Sequence, residues 1–169
     1  MRFTEKDHKE NEIVEDIIKK TESSSIDELS TIFNEIRKYQ PILISIFLGY
    51  KDVLSDEELD ELVKDLIIIW KFFSDKTNIK KIRITENHLK KFYKKNAEFF
   101  DYLSGEDFED AMKNTTEIVL KEMESKAILT ALIHRVNEKS IFKKMNQDRK
   151  GEFIMELKTL IDCFEDINK

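Results

Sequence analysis

The scarcity of glycine and proline constrains the fold of this chain more than any other sequence feature. Only three glycines and one proline occur among its 169 residues. A β-sandwich or barrel needs turn residues at short regular intervals, and Rossmann-type and P-loop nucleotide sites need clustered glycines. Gly49, Gly105 and Gly151 lie far apart in the chain. The sequence therefore disfavours all of these classes and predicts an all-α fold.

The composition indicates a chain that folds around an apolar core. Hydrophobic residues make up 40% of it and charged residues 38%, with Phe, Ile and Leu prominent among the apolar ones. A chain of this length can bury roughly two-thirds of its unfolded surface, so it needs no disulfide or metal for stability. We predict one helical domain over residues 1–169, with a peripheral N-terminal helix in 1–24 and the core in 25–169.

Two sequence features bear on the cellular compartment in which the protein is expected. The first twelve residues are highly charged and contain no apolar leader, and the longest apolar run, residues 41–50, is about half of a membrane span. The single cysteine, Cys163, excludes an internal disulfide and a multi-cysteine zinc site within one chain. Because Cys163 lies in an apolar run, we expect a buried, inert thiol. These features predict a cytoplasmic protein that does not enter a membrane.

Helix starts can be recognised from capping-box spacing, in which two side chains satisfy backbone amides at the first turn. Ser25 with Glu28 and Ser55 with Glu58 have this spacing, and apolar residues recur every three or four positions after each pair. Over the whole chain this periodicity predicts six or seven helices. We expect them to form a bundle or a short array resembling helical repeats.

One short segment is apolar nearly all round. Pro41 is suited to the first position of a helix, and residues 42–48 that follow contain one polar side chain. Gly49 would then end the helix in the left-handed conformation that glycine favours. A helix without a polar face is typical of a buried position. We therefore expect this helix at the centre of the core.

The two halves of the chain share a pattern. Residues 41–48, a polar loop and the helix 59–73 resemble residues 126–134, a polar loop and the helix 153–164. A duplicated helical hairpin would explain the similarity. The alternative is that two apolar helices are alike only in composition.

Two stretches are less defined by their pattern. Residues 76–84 fit neither helical nor strand periodicity, whereas Thr85 is placed to cap a helix that runs to Ser104. Residues 106–139 contain apolar residues at helical spacing without a breaker. This second stretch predicts either one long helix or two helices with a kink near Ser125.

The sequence contains no residue pattern that defines a catalytic centre. The serines at 23–25 are explained by capping, and there are three histidines in all. His134 and Glu138 lie one helical turn apart and come closest to a metal-binding pair, although this spacing is also that of an ordinary surface contact. We predict no catalytic, cofactor-binding or native metal site. A ligand-binding or enzymatic bundle with a site near His134, Glu138 and Trp70 is the competing hypothesis.

Charge is unevenly distributed along the chain. Residues 76–95 contain eight basic residues and one acidic residue, a net charge of +7, so the rest of the chain sums to −13 if the total is −6. Such segregation can create a local surface that attracts anions. The candidate interaction patch comprises Lys80, Lys81, Arg83, Lys90, Lys91, Lys94 and Lys95.

Three interpretations of this basic segment remain open. It can be a solvated face, or one that is neutralised within the protein by docking onto the acidic helix that starts at Ser55. It can bind the acidic surface of a protein partner. It can also bind nucleic acid, which the sequence pI of about 5.3 disfavours.

The leading functional hypothesis is a non-enzymatic helical interaction module. It would act through a protein partner or through self-association, without a cofactor. A ligand- or metal-binding bundle is the first alternative, and an anion or nucleic-acid binder that uses residues 76–95 is the second.

Overall fold

The computed structural model describes residues 4–75, 79–103 and 123–167. These residues form eight α-helices and no β-strand, which confirms the predicted all-α class. The prediction of six or seven helices is approximately right, since one of the eight is a single turn. The helices are α1 (Glu5–Ser23), α2 (Ile26–Tyr39), α3 (Pro41–Tyr50), α4 (Asp56–Ser74), α5 (Glu86–Leu103), α6 (Lys126–Glu138), α7 (Ser140–Lys143) and α8 (Gln147–Asp166).

Short-range hydrogen bonds begin α2 and α4 where the sequence predicts. The backbone N–H of Glu28 donates to Ser25 Oγ at 3.3 Å, and the Ser25 N–H donates to Glu28 Oε2 at 2.7 Å. Ser55 and Glu58 form the same reciprocal pair at 3.2 and 2.8 Å. Both predicted capping boxes are therefore confirmed. The Thr85 hydroxyl likewise accepts a backbone N–H at the start of α5.

The last helix, α8, occupies the centre of the molecule. Every residue from Phe153 to Phe164 is buried, and α8 packs against α4, α5 and α6. Its Phe164 ring stacks on Phe73 at a centroid distance of 5.3 Å and meets the Trp70 ring edge-on at 6.3 Å. The buried side chains belong to one continuous core to which α1 contributes Val14 and Ile17.

The prediction that residues 42–48 lie at the centre of the core is wrong. Helix α3 packs against α2 and α4 through one side, where Leu43 and Phe47 are buried, and its Leu48 is 67% exposed. The ten-residue α3 is too short to be surrounded by the longer helices, which pack along the twenty residues of α8 instead. Gly49 does not adopt a left-handed conformation, and α3 continues to Tyr50.

The long helical stretch predicted over 106–139 falls partly outside the described residues, which resume at Met123. Residues 123–125 are not helical, and α6 begins at Lys126. The two hairpins with similar sequences correspond to α3–α4 and α6–α8, with the single turn α7 inserted in the second. Their duplication stays a prediction.

None of the described helices combines the length and the apolarity that crossing a membrane requires.

The Gln40 side chain holds residues 79–84, the described part of the segment that fits neither helical nor strand periodicity. Gln40 is fully buried between α2 and α3, and its Nε2 donates to the carbonyl oxygens of Ile79 and Ile82 at 2.6 and 2.7 Å. The Ile84 N–H donates to Gln40 Oε1 at 2.8 Å. These three hydrogen bonds supply the backbone partners that a helix or strand would otherwise provide.

Gln40→Ala is therefore expected to destabilise the fold. The substitution leaves one buried N–H and two carbonyls without their partner, and an unsatisfied buried group costs about 1–3 kcal/mol, so we expect a loss of roughly 3 kcal/mol in the free energy of unfolding. Urea denaturation measures this loss in the free energy of unfolding. Gln147→Ala, at an exposed position of α8, serves as the control and should change stability by less than about 0.5 kcal/mol. Equal effects of the two variants would contradict the assigned role.

Candidate functional site

The two residues proposed as a metal-binding pair lie in a groove between α1 and α6. His134 and Glu138 are both exposed and line this groove, which has a volume of about 1050 Å³. No three His, Cys, Asp or Glu residues within the described ranges are arranged to hold a metal ion. Trp70 is 2% exposed and packs against Tyr39 and Phe164, and it does not belong to the described lining of the groove. The structure therefore does not assemble His134, Glu138 and Trp70 into one site.

A buried ion network joins α1, α4 and α6 beside this groove. The Arg135 side chain is only 5% exposed, and its Nε and Nη2 donate to Glu22 Oε1 at 2.9 and 2.7 Å. Its Nη1 donates to Asp65, and its Nη2 also donates to Glu61. One guanidinium thus connects carboxylates from two other helices, as its planar arrangement of donors allows.

Two lysines complete the network. Lys139 Nζ lies 2.8 Å from Glu61 Oε2, and Lys64 Nζ lies 2.7 Å from Glu61 Oε1. Burial raises the pKa of Glu61, but the hydrogen bonds from Lys139 and Lys64 and the charge of Arg135 outweigh burial and lower this pKa to about 2. Glu61 is therefore held ionised, so its chemistry is that of a structural ion pair.

Asp65 is the member of the network whose burial is least compensated by hydrogen bonds. It is fully buried, and burial raises the pKa of its carboxyl to about 7 against the attraction of Arg135. Its Oδ2 has no hydrogen-bond partner among the described residues. This cluster was not predicted from the sequence, although an aspartate between Leu62 and Leu66 on the apolar face of α4 was a signal of it.

The basic segment is partly neutralised within the protein. Its ion pairs include Lys80 with Glu35, Lys90 with Glu86 at 2.7 Å, Lys91 with Asp166 at 3.4 Å and Lys94 with Glu98 at 3.9 Å. These acidic partners lie on α2, α5 and α8, so the expected docking onto the acidic start of α4 is not what the described contacts show. Lys76 lies outside the described residues.

A positive charge remains after this pairing. Residues 79–98 contain seven basic and two acidic residues, a net charge of +5, and +3 remains when the pairing carboxylates of Glu35 and Asp166 are also counted. The predicted patch residues in this range are exposed. Exposed pairs such as Lys90 with Glu86 contribute little to stability because solvent screens them, so the lysines can exchange one carboxylate for another at little cost. The outer face of α5 is thus a basic surface on an acidic chain.

Helix α3 exposes an apolar face beside this basic surface. Leu48 is 67% exposed and Ile44, one turn earlier, is half-buried. Ser45 and Gly49 lie exposed on the same helix, towards α5. Part of the apolarity that suggested a central position is therefore directed towards solvent, at Ile44 and Leu48.

A cleft of about 440 Å³ separates α3 from α5 and is here named the α3–α5 cleft. One bank is mainly apolar and belongs to α3, the other belongs to α5 and carries the lysines, and α8 contributes two residues between them. The lining comprises Ser45, Ile46, Gly49 and Tyr50 of α3, Leu89, Lys90, Tyr93 and Lys94 of α5, and Glu156 and Thr159 of α8.

Buried polar contacts hold the walls of the cleft in place. The Tyr50 hydroxyl donates to Glu156 Oε2 at 3.3 Å, and burial raises the pKa of both groups. On the other side, Asn96 Nδ2 donates to Thr159 Oγ1 and to Asp162 Oδ2, each at 3.0 Å. These bonds connect α8 to α3 and to α5, so the cleft is positioned by the central helix.

Cys163 is fully buried, as predicted, and burial raises the pKa of its thiol to about 12. The thiolate is the reactive form of cysteine, so this residue acts as part of the core.

Comparison of the chain with known protein families, with curated proteins and with solved structures finds no match.

Arg135→Ala is expected to lower the free energy of unfolding by roughly 3–5 kcal/mol, because it leaves the buried Asp65 without its cation. Arg37→Ala, at an exposed position on α2, is the matched control and should cost less than about 0.5 kcal/mol. Chemical denaturation of both variants measures the difference. A loss as small for Arg135→Ala as for Arg37→Ala would show that the network does not stabilise the fold.

Asp65→Asn is expected to change how stability depends on pH. The folded pKa of about 7 lies above the ordinary value of 3.8, so the folded chain binds the proton more tightly than the unfolded chain. The contribution of Asp65 to stability therefore falls as the pH rises from about 4 to about 7. The difference in stability between the variant and the original chain should therefore shift in favour of the variant as the pH rises across this window.

Denaturation at several pH values between about 4 and 8 tests this expectation. Asp60→Asn, which removes an exposed acid from the same helix, controls for the change in net charge. Parallel stability curves for Asp65→Asn and the original chain would contradict the assigned titration.

Proposed function

We propose that this chain is a non-enzymatic helical interaction module that binds a protein partner at the α3–α5 cleft. The exposed apolar face of α3 is the observation that carries the proposal. Single apolar residues are common on protein surfaces, but here Leu48 and Ile44 lie one turn apart on α3, next to the cleft residues Ser45 and Gly49, and the half-exposed Tyr93 adds apolar surface within the cleft. Contiguous apolar surface rimmed by polar residues is typical of an interaction site.

The charge around the cleft supports a partner that is both apolar and acidic. Lys90 and Lys94 form the rim on α5, within a segment of net charge +5, whereas the whole chain carries −6. A protein segment with apolar side chains towards α3 and carboxylates towards α5 would satisfy both banks. A nucleic acid would satisfy only the basic bank, and the overall negative charge of the chain opposes its approach.

Site-specific crosslinking tests the proposal. A photoreactive benzophenone amino acid at position 48 is expected to crosslink the full chain to a protein in native lysate. The same group at position 26, where Ile26 is 82% exposed on α2, is the matched control. Excess unlabelled chain should compete with the position-48 crosslink, and excess Ile44→Glu chain should compete poorly.

The variants are suited to this test because their positions are outside the core. Leu48 is mostly exposed, and substitutions at such positions usually change stability by less than about 0.5 kcal/mol. Identical crosslinks from positions 48 and 26, or none from position 48, would contradict the proposed docking surface. An adduct of twice the mass of the chain would show that a second copy, not an acidic partner, occupies the cleft.

A further inference from the structure

We infer that the partner segment is an acidic amphipathic α-helix that lies along the α3–α5 cleft between the two helices of its banks. The inference rests on the proposed function and specifies the chemistry of the occupant. Three separate observations support it: the spacing of the exposed residues on α3, the small side chains that α3 places in the cleft and the position of the lysines on α5.

The exposed side of α3 has the spacing of a helix-packing surface. Pro41, Ile44, Ser45 and Leu48 are exposed or half-buried, at positions i, i+3, i+4 and i+7. Residues with this spacing form one stripe along a helix. A partner helix can pack its own apolar stripe against such a surface, which is the recognition mode of amphipathic helices bound in grooves.

The cleft side of α3 carries side chains small enough for close approach. Ser45 and Gly49 lie one turn apart in the lining. Gly49 has no positive φ, and a Cβ added to it would meet no atom within 4 Å. Neither its backbone conformation nor its neighbours in the chain require glycine there, and glycine within a helix is less stable than alanine. The open space at Gly49 is available to the backbone of an incoming helix.

The lysines are placed to pair with one edge of that helix. Lys90 and Lys94 lie one turn apart on the opposite bank, and their side chains are 71% and 80% exposed. Their present partners, Glu86 and Glu98, are exposed acids of the same helix. Carboxylates one turn apart on a partner helix would meet both lysines, while the apolar stripe of that helix meets α3.

Binding of designed peptides to the full chain tests the inference. The probe is a fluorescently labelled peptide of about 18 residues, or five helical turns, with leucines along one stripe and glutamates along its edge. One comparison peptide has lysine in place of glutamate, and another has serine in place of leucine. Fluorescence anisotropy should show binding of the acidic peptide that is about tenfold or more tighter than that of either comparison peptide.

Variants of the chain locate the binding on the two banks. Lys90→Glu combined with Lys94→Glu should weaken binding of the acidic peptide by about tenfold or more. Lys143→Glu combined with Lys144→Glu, which makes the same charge change at exposed positions in and after α7, should leave it nearly unchanged. Equal binding by the two double variants would overturn the inference.

A second pair of variants tests the close approach. Gly49→Gln fills the cleft side of α3 and should weaken the acidic peptide by about tenfold or more. Gly151→Gln is the matched control, because an added Cβ at Gly151 also meets no atom within 4 Å and Gly151 is outside the described lining of the cleft. Both variants should fold with unchanged circular dichroism. Unchanged binding by Gly49→Gln would overturn the helical packing.

The outcomes separate this inference from the proposed function. A specific crosslink from position 48, together with equal binding of the glutamate and lysine peptides, would overturn the acidic helix and leave the docking surface standing. Absence of the crosslink would remove the docking surface itself, and with it the basis for the occupant.

Discussion

Burial of α8 on all sides is the constraint on which the rest of the structure depends. Twelve consecutive residues, Phe153 to Phe164, are removed from water, and three of them carry charge-bearing side chains. Burying such groups is costly unless each finds a partner. Glu156 accepts a hydrogen bond from the Tyr50 hydroxyl, and Lys158 forms an ion pair with Asp162 at 2.6 Å. The bond from Tyr50 holds α3, and the bond from Asn96 to Asp162 holds α5, at defined positions around the centre.

The position of α8 also explains why an apolar helix lies at the surface. Because the longer α8 occupies the centre, α3 can bury only the side that packs on α2 and α4, and Leu48 remains exposed. The α3–α5 cleft is a consequence of the same arrangement, since α8 residues line it between the two banks. The surface proposed for function thus follows from how the core is filled.

The ion network around Arg135 has a different role from that of the cleft. It joins α1, which contributes only a narrow apolar stripe, to α4 and α6 through Glu22, Glu61 and Asp65. A buried network of this kind depends on every member, because removing one charge leaves another unpaired in a medium of low dielectric constant. The charges around Arg135 are buried and paired with one another, which indicates a structural role. The lysines of α5 are exposed and can exchange one carboxylate partner for another.

The sequence by itself determined the helical class, the starts of α2 and α4 and the buried thiol of Cys163, because capping and helical periodicity act between residues three or four positions apart. It did not determine which helix lies at the centre. Apolarity alone favoured α3, and the charges of α8 concealed its burial, since their partners are distant in the chain: Tyr50 is 106 residues from Glu156. Only the tertiary structure brought these groups together, and only then did Ser45 and Gly49 of α3 come to line one cleft with Lys90 and Lys94 of α5. Long-range pairing of polar groups cannot be inferred from local pattern, and it is this pairing that decided both the core and the candidate site.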